Sequence, residues 1–463
     1  MEEYELVKFG SLLHDIGKVV QRDVGKVEGN HSELGYEFLR HLDEDIALFA
    51  KFHHIKEIKK QKKVFDDITT DKKNLLWMVY EADNLSSAER GENLGKFNPN
   101  HRLKSVFSKI RIDQDVLTET EKIAETEYPL TRLDFNNFVY PVEKGILDDK
   151  TIHKKNYSDI YSDFKKNFPY PYLDLIMSFL EKETTFIPSR TGENDDISLF
   201  DHLKTTCAIA SCMYLYYKDK DLLGKDLDIE KEIKDKNDEK YLLISGDISG
   251  IQKFIYNITS KGALKLLRAR SFYLEMVSED LVQELLDELN LTRANLLYCA
   301  GGHFYILAPN TKKCKDKTNY LKKRVNQWLF EKFNGILYYA ISYIEFNGNM
   351  FETKDKDRDK KDFSDLWVEI GTKISEQKSK KFREILVDNP EKFLREDVAD
   401  KKYKEKNECK ACKTFVHQDK IINDEESGVT YCDLCYKLKD VGGRLSDCKY
   451  IIRLKDSYVF DAD

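Results

Sequence analysis

Apolar residues near the start of the chain recur with a helical period. Leu6, Phe9, Leu13, Ile16 and Val20 stand at alternating spacings of three and four, which predicts one apolar stripe on a single helix. Further helices are expected around Leu34–Leu42, Ile46–His54 and Leu75–Arg90. Residues 91–217 read as helical or irregular and show no chemical motif. Lys218–Lys240 alternates acids with lysines, the pattern of a linker or a solvated helix. From Tyr241 the texture changes. Tyr241–Ile248 is a strand, Ser271–Leu289 a helix, and Asn295–Ala300 and His303–Ala308 are strands on either side of Gly301-Gly302. Lys317–Phe333 is again helical and Gly335–Phe346 strand-rich. The order βαββαβ is the ferredoxin-like split motif. A charge run, Glu352–Asp362, leads into a last helical stretch. The pattern predicts an α+β multidomain chain: an all-α unit over 1–90, a mostly helical connection over 91–240, a ferredoxin-like unit over 241–346, and a charged helical segment with a cysteine module over 347–463.

Composition narrows the function classes. Across 463 residues, 34% charged and 41% hydrophobic side chains describe a folded chain with heavily charged surfaces. A net charge of −7 excludes a generally basic nucleic-acid binder, although 76 Lys and Arg leave room for local basic patches. The acidic start Met-Glu-Glu-Tyr-Glu is unlike a signal peptide, and no apolar run approaches the roughly 20 residues that span a bilayer. Nine cysteines with two CxxC pairs favour metal ligation in a reducing compartment. The expectation is a cytoplasmic protein with no membrane association.

His14, His31, His41, His53 and His54 crowd the first 54 positions, and His14-Asp15 lies in Leu-Leu-His-Asp-Ile-Gly-Lys beside the apolar stripe. Asp83 falls on an apolar helix face, where a carboxylate is costly unless paired or ligated. Imidazoles mixed with carboxylates suit a divalent transition metal (Mn, Ni, Fe or Co) and phosphoester hydrolysis. His14 and Asp15 are the expected catalytic pair, with His31, His53, His54 and Asp83 as further metal ligands. His41, beside Arg40, reads as exposed. The alternative is a set of surface and capping histidines.

Asp247, in Gly246-Asp247-Ile248-Ser249-Gly250, closes the first strand of the βαββαβ unit, where polymerase and cyclase palms place a metal-binding carboxylate. The central hairpin, Cys299-Ala300-Gly301-Gly302-His303-Phe304, has no acid, so two-metal chemistry is not expected there. Nucleotide binding, with ATP as the candidate ligand, remains open through Asp247, Ser249, Gly250, Arg270 and Ser271, with turn-making glycines and a solvated basic face as the alternative. Cys409-Lys-Ala-Cys412 and Cys432-Asp-Leu-Cys435, nineteen residues apart, have the spacing of a closed structural zinc site.

Leu12–Lys18 with His53-His54 and Ala82-Asp83, then Gly246–Phe254, Arg270-Ser271-Phe272, Gly301-Gly302 and the cysteine quartet, resemble the large subunit of type III CRISPR effector complexes, in particular the Csm branch. The resemblance implies an HD domain that cleaves single-stranded DNA with a divalent metal, inside a guide-RNA–protein assembly that responds to target RNA. It also implies a second palm whose Gly-Gly-Asp-Asp hairpin converts ATP into cyclic oligoadenylates. This sequence contains no Gly-Gly-Asp-Asp. It ends where the family continues into that second palm, so a fragment or a split or reduced form is expected. The palm present would supply one wall of an ATP site. Two other functions compete: a free-standing HD phosphohydrolase acting on nucleotides, and a non-catalytic scaffold held together by metal.

Overall fold

A computed structural model describes residues 1–23, 29–88, 98, 101–109, 125–146, 150–191, 195–223, 229–258, 261–352, 361–388, 390–392, 406–425 and 427–453. Most of the charge run Glu352–Asp362, and the last residues of the helix expected to reach Arg90, lie outside them. The N-terminal unit holds α1 (Glu3–Leu13), α2 (Gly17–Arg22), α3 (His31–Leu39), α4 (Glu44–Phe52), α5 (Ile55–Lys60), α6 (Lys62–Asp66) and α7 (Thr70–Ser86). Leu6, Phe9, Leu13, Ile16 and Val20 are all buried, as their stripe requires. The single helix expected there is broken, however. Ile16, Lys18 and Val19 donate to carbonyls three residues back, so a tight turn separates α1 from α2. Gly17 makes the next crossing possible, because a Cβ there would lie 1.8 Å from the carbonyl oxygen of His31. α3 therefore packs directly against the turn that carries His14 and Asp15.

The connecting region contains a short hairpin, β1 (Thr126–Glu127) with β2 (Val142–Glu143), then α8 (Lys150–Asn167), α9 (Leu173–Thr184), α10 (Leu199–Asp219) and α11 (Ile229–Lys234). α10 is no linker. It packs on α1 and α7 along one side and on the following sheet along the other.

That sheet is built from β3 (Tyr241–Ser249), α12 (Ile251–Tyr256), α13 (Ala263–Glu288), β4 (Leu296–Ala300), β5 (His303–Pro309), α14 (Lys312–Phe333) and β6 (Tyr338–Phe346). Its strand order, β4-β5-β3-β6, with every pair antiparallel, is the ferredoxin-like arrangement expected from the sequence. β3 is apolar on both faces for a reason. Leu242, Ile244 and Ile248 join the core under α13 and α14, while Tyr241 and Leu243 join the core shared with α10 and the N-terminal unit. α13 begins at Ala263 rather than Ser271, since nothing between those positions breaks a helix. α15 (Phe363–Ser379) and α16 (Arg383–Asp388) follow, with α15 lying across β3 and β6. The cysteine module closes the described chain: β7 (Lys406–Glu408) with β8 (Phe415–His417), β9 (Ile421–Asp424) with β10 (Val429–Cys432), and α17 (Asp433–Arg444) docked on α13. Among the described residues, no helix is long and apolar enough to cross a membrane.

Candidate metal centre

The turn after α1 presents His14 and Asp15, α7 presents Asp83, and α10 presents His202. Their ligand atoms lie within 4.8 Å of one another, and all four residues are buried. His202 Nε2 is 3.2 Å from Asp15 Oδ2 and 3.2 Å from Asp83 Oδ1, and His14 Nε2 is 3.6 Å from each of the same two oxygens. A second cluster stands on the other side of Asp15. His31, at the start of α3, His53, after α4, and His54, before α5, also converge within 4.8 Å. Asp15 Oδ1 faces His53 Nε2 at 3.4 Å and His31 Nε2 at 3.5 Å, and His54 Nδ1 is 3.8 Å from Asp83 Oδ2. Asp15 thus offers one oxygen to each cluster.

The surroundings aim these donors. His14 Nδ1 donates to the Ser11 carbonyl at 2.7 Å and His53 Nδ1 to the Ala50 carbonyl at 2.7 Å, which turns each Nε2 inward as a lone-pair donor. Ser86 Oγ sits 2.9 Å from His202 Nδ1. Burial alone would raise the Asp15 pKa, but Lys18 and His14 hold it well below the usual carboxylate range. Asp83 is likewise held low against burial by His14 and His202. Burial pushes His31 down to about 3 and His54 down to about 2, so both rings are neutral at physiological pH, the form that can ligate a metal. For His14, burial favours the neutral ring, yet Asp15 and Asp83 outweigh it and raise the pKa. The buried His14 Nε2 and Asp15 Oδ1 have no hydrogen-bond partner. Atoms of that kind are costly unless something fills the space between them, and imidazoles with anionic oxygens fit a divalent transition ion.

His14, Asp15, His31, His53, His54 and Asp83 are therefore brought together, and His41 is exposed. His202 corrects the sequence reading, which found no chemistry in residues 91–217 and placed the whole site within 1–90. A signal was present: His202 stands on the apolar face of α10 marked by Leu199, Leu203 and Thr206, all buried.

At the palm corner, Asp247 and Ser249 close β3 and Gly250 follows it directly. Gly250 has φ 96°, and a Cβ there would fall 1.9 Å from the Ile336 carbonyl oxygen. Asp247 Oδ2 is 2.6 Å from Lys378 Nζ of α15 and 3.7 Å from His303 Nδ1. The hairpin turns at Gly301-Gly302 with no acid, and Ser271 is exposed. Arg270 requires a correction. It is buried, and its guanidinium bonds the carbonyls of Phe254 and Asn257 at the far end of α12 and the sulfur of Cys435, not the Gly250 corner.

Cys409, Cys412, Cys432 and Cys435 bring their sulfurs within 4.8 Å of one another. The first pair sits on the β7–β8 turn, where Lys413 takes φ 61° and donates to the Cys409 carbonyl at 2.8 Å. The second pair straddles the start of α17. Hydrogen bonds from the neighbouring thiols push the Cys409 pKa down. The set is a closed four-sulfur cage, which fits a structural zinc site.

A family model described as an HD domain matches residues 2–88, and one described as Csm1 subunit domain B matches residues 240–396. The chain is 34% identical over 471 residues to the CRISPR system single-strand-specific deoxyribonuclease Cas10/Csm1 (subtype III-A) of Thermococcus onnurineus, covering 96% of this chain and 55% of that protein. The protein of the same description from Methanocaldococcus jannaschii is 34% identical over 490 residues, covering 94% and 57%. Among solved structures, the Csm1-Csm4 subcomplex in the type III-A CRISPR-Csm interference complex superposes with a TM-score of 0.65 at 30% identity, covering 96% of this chain and 52% of that one. The Csm1-Csm4 cassette in complex with pppApApA gives 0.65 at 33% identity, covering 83% and 50%. The chain spans about half the length of the curated relatives it matches. An HD domain is thus followed by a Csm1 domain B, and along nearly its whole length the chain is similar to Cas10/Csm1 proteins of the type III-A CRISPR system.

Proposed function

We propose that this chain is the nuclease and scaffold portion of the large subunit of a type III CRISPR interference complex, and that its HD centre hydrolyses single-stranded DNA. The observation that carries the reading is the pair of ligand clusters sharing Asp15. His14, Asp15, Asp83 and His202 would hold one divalent ion, and His31, His53, His54 and the second Asp15 oxygen another, with Mn, Ni, Fe or Co fitting the donors. Bound there, such ions polarise a phosphoryl oxygen and lower the pKa of a coordinated water. The residues do the rest. Asp15 fixes the spacing between the clusters, and the Ser11 and Ala50 carbonyls hold the His14 and His53 rings against rotation. The His14, Asp15 and His202 side chains are sealed, whereas His54 is 42% and His31 22% exposed, so the scissile phosphate enters over His31 and His54. A small helical unit without a groove-reading element suits a flexible single strand better than a duplex.

The same proposal places a structural zinc in the cysteine cage and one wall of an ATP site at Asp247, Ser249 and Gly250. Without acids on the β4–β5 hairpin, the chain alone is expected to make no cyclic oligonucleotide. Its partners are the guide-RNA–protein subunits of the assembly, including a Csm4-like neighbour, with target RNA acting through them and the whole working in the cytoplasm. The test offers labelled single-stranded DNA, duplex DNA, RNA and free nucleotides to the chain with each metal and with excess chelator. Metal-dependent cleavage of single-stranded DNA is expected. Cleavage that survives chelator overturns the proposal, and hydrolysis of nucleotides alone would favour a free-standing phosphohydrolase.

A further inference from the structure

Arg270 is 1% exposed in the middle of the molecule, an expensive place for a cation. Its Nη1 donates to the carbonyls of Phe254 and Asn257, each at 2.6 Å, and its Nη2 lies 3.4 Å from the Cys435 sulfur. The guanidinium also stacks 5.3 Å from the centre of the Phe254 ring. Among the described residues, no carboxylate forms an ion pair with it. The one partner able to carry negative charge is the sulfur cage, and four thiolates around a zinc dication leave that cage net negative. The carbonyls it binds belong to the C-terminal end of α12, where helix carbonyls lack partners within the helix. The link is doubled by Asn257, whose Nδ2 donates to the Cys412 carbonyl at 3.1 Å. Gly250 immediately precedes α12, so the other end of that helix is the palm corner.

We propose that Arg270 is a positioning residue that supplies the counter-charge of the cysteine metal centre and fastens that centre to the end of α12, so that the palm corner keeps its shape only while the cage holds metal. This rests on the zinc reading above, and it gives a structural cage a task inside the palm. Arg270 does two things that different substitutions separate. R270M removes both charge and fork, whereas R270K keeps the charge and loses the planar fork that spans two carbonyls and a sulfur.

The experiment uses the full chain. Metal content of the purified wild type is measured first. Zinc release to a chromophoric chelator and hydrogen exchange of the α12 amides are then followed in wild type, R270M and R270K. R270M is expected to release zinc about 10–100-fold faster, the range for losing a partner just outside a metal's ligands. Its α12 amides should exchange faster while those of the central strand β3 do not. R270K should retain zinc better than R270M yet loosen α12 as much. If R270M does not accumulate as a folded chain, stripping zinc from wild type decides: α12 must lose protection while β3 keeps it. A wild type without zinc overturns the metal reading and this inference with it. Zinc present, with R270M releasing it at the wild-type rate, or with α12 unchanged in R270M or stripped wild type, overturns the inference alone.

Discussion

Asp15→Asn is the sharpest perturbation of the HD centre, because it changes one charge and almost no volume. The carboxylate has four imidazole nitrogens between 3.2 and 3.6 Å away and the Lys18 ammonium in contact. At about 3.5 Å and an effective dielectric near 20, one unit of charge is worth roughly 5 kcal/mol. The amide keeps one oxygen, so part of that is retained, and breaking a buried charged contact costs about 3–5 kcal/mol. At about 1.4 kcal/mol per decade, metal affinity should fall by roughly two to three and a half orders of magnitude. Since Asp15 serves both clusters, both ions should be lost together rather than one after the other. Lys18 is 16% exposed and can turn to water, so the helical fold should survive. Titration calorimetry with Mn²⁺ on the chelator-stripped chain reads affinity and stoichiometry, circular dichroism checks the fold, and single-turnover cleavage of labelled DNA reads the chemistry. An Asp15→Asn chain that binds two ions with wild-type affinity, or cleaves at the wild-type rate, refutes the bridging role.

Three further outcomes follow from the same geometry. His202→Ala empties only the inner cluster, so metal stoichiometry should drop from two to one while the His31, His53 and His54 cluster still binds; unchanged stoichiometry would exclude His202 as a ligand. The raised pKa of His14 means that a proton competes with metal up to and above the ordinary imidazole value of about 6.5. Metal affinity should therefore rise between pH 6 and 8 with release of a proton, read by calorimetry in buffers of different ionisation enthalpy; a flat profile contradicts the assignment. Cys432→Ser removes a cage ligand while leaving a good N-cap for α17, so zinc should be lost and the module digested by protease at native temperature, with the HD helices still protected. A variant that keeps one zinc and resists protease speaks against the cage.

What could be read in the sequence follows from what is local. His14, Asp15, His53, His54 and Asp83 announce themselves because each stands beside or on an apolar face within one short helical unit. The palm arrangement was legible because the element order βαββαβ implies it, and the Gly301-Gly302 turn joins β4 directly to β5. The break between α1 and α2 was not legible. A tight turn in right-handed helical backbone keeps the side chains nearly in phase, and both helices bury into one core, so the stripe from Leu6 to Val20 runs through it unchanged. Arg270 was misread because its motif neighbours lie at the palm, whereas the sulfur it faces is 165 residues further along the chain. Only the docking of α17 on α13 makes that pair.

His202 shows the same principle with a larger consequence. The first turn of α10 places it between Asp15 and Asp83. Further along the same helix, the Ala208 carbonyl accepts at 3.3 Å from Asn295 Nδ2, which also donates to the Leu307 carbonyl of β5 at 3.0 Å. One helix therefore carries the His202 imidazole of the candidate metal centre at its start and packs against the palm sheet along its flank. A unit ending after α7 would hold six of the seven ligands and still leave the inner cluster open on the side where His202 closes it. Nor could the β5 strand shift without moving the helix that carries this ligand, because Asn295 is fully buried and bonded to both. The HD centre and the palm are two domains by sequence pattern, but the side-chain cluster of the first is completed from the element that packs against the second.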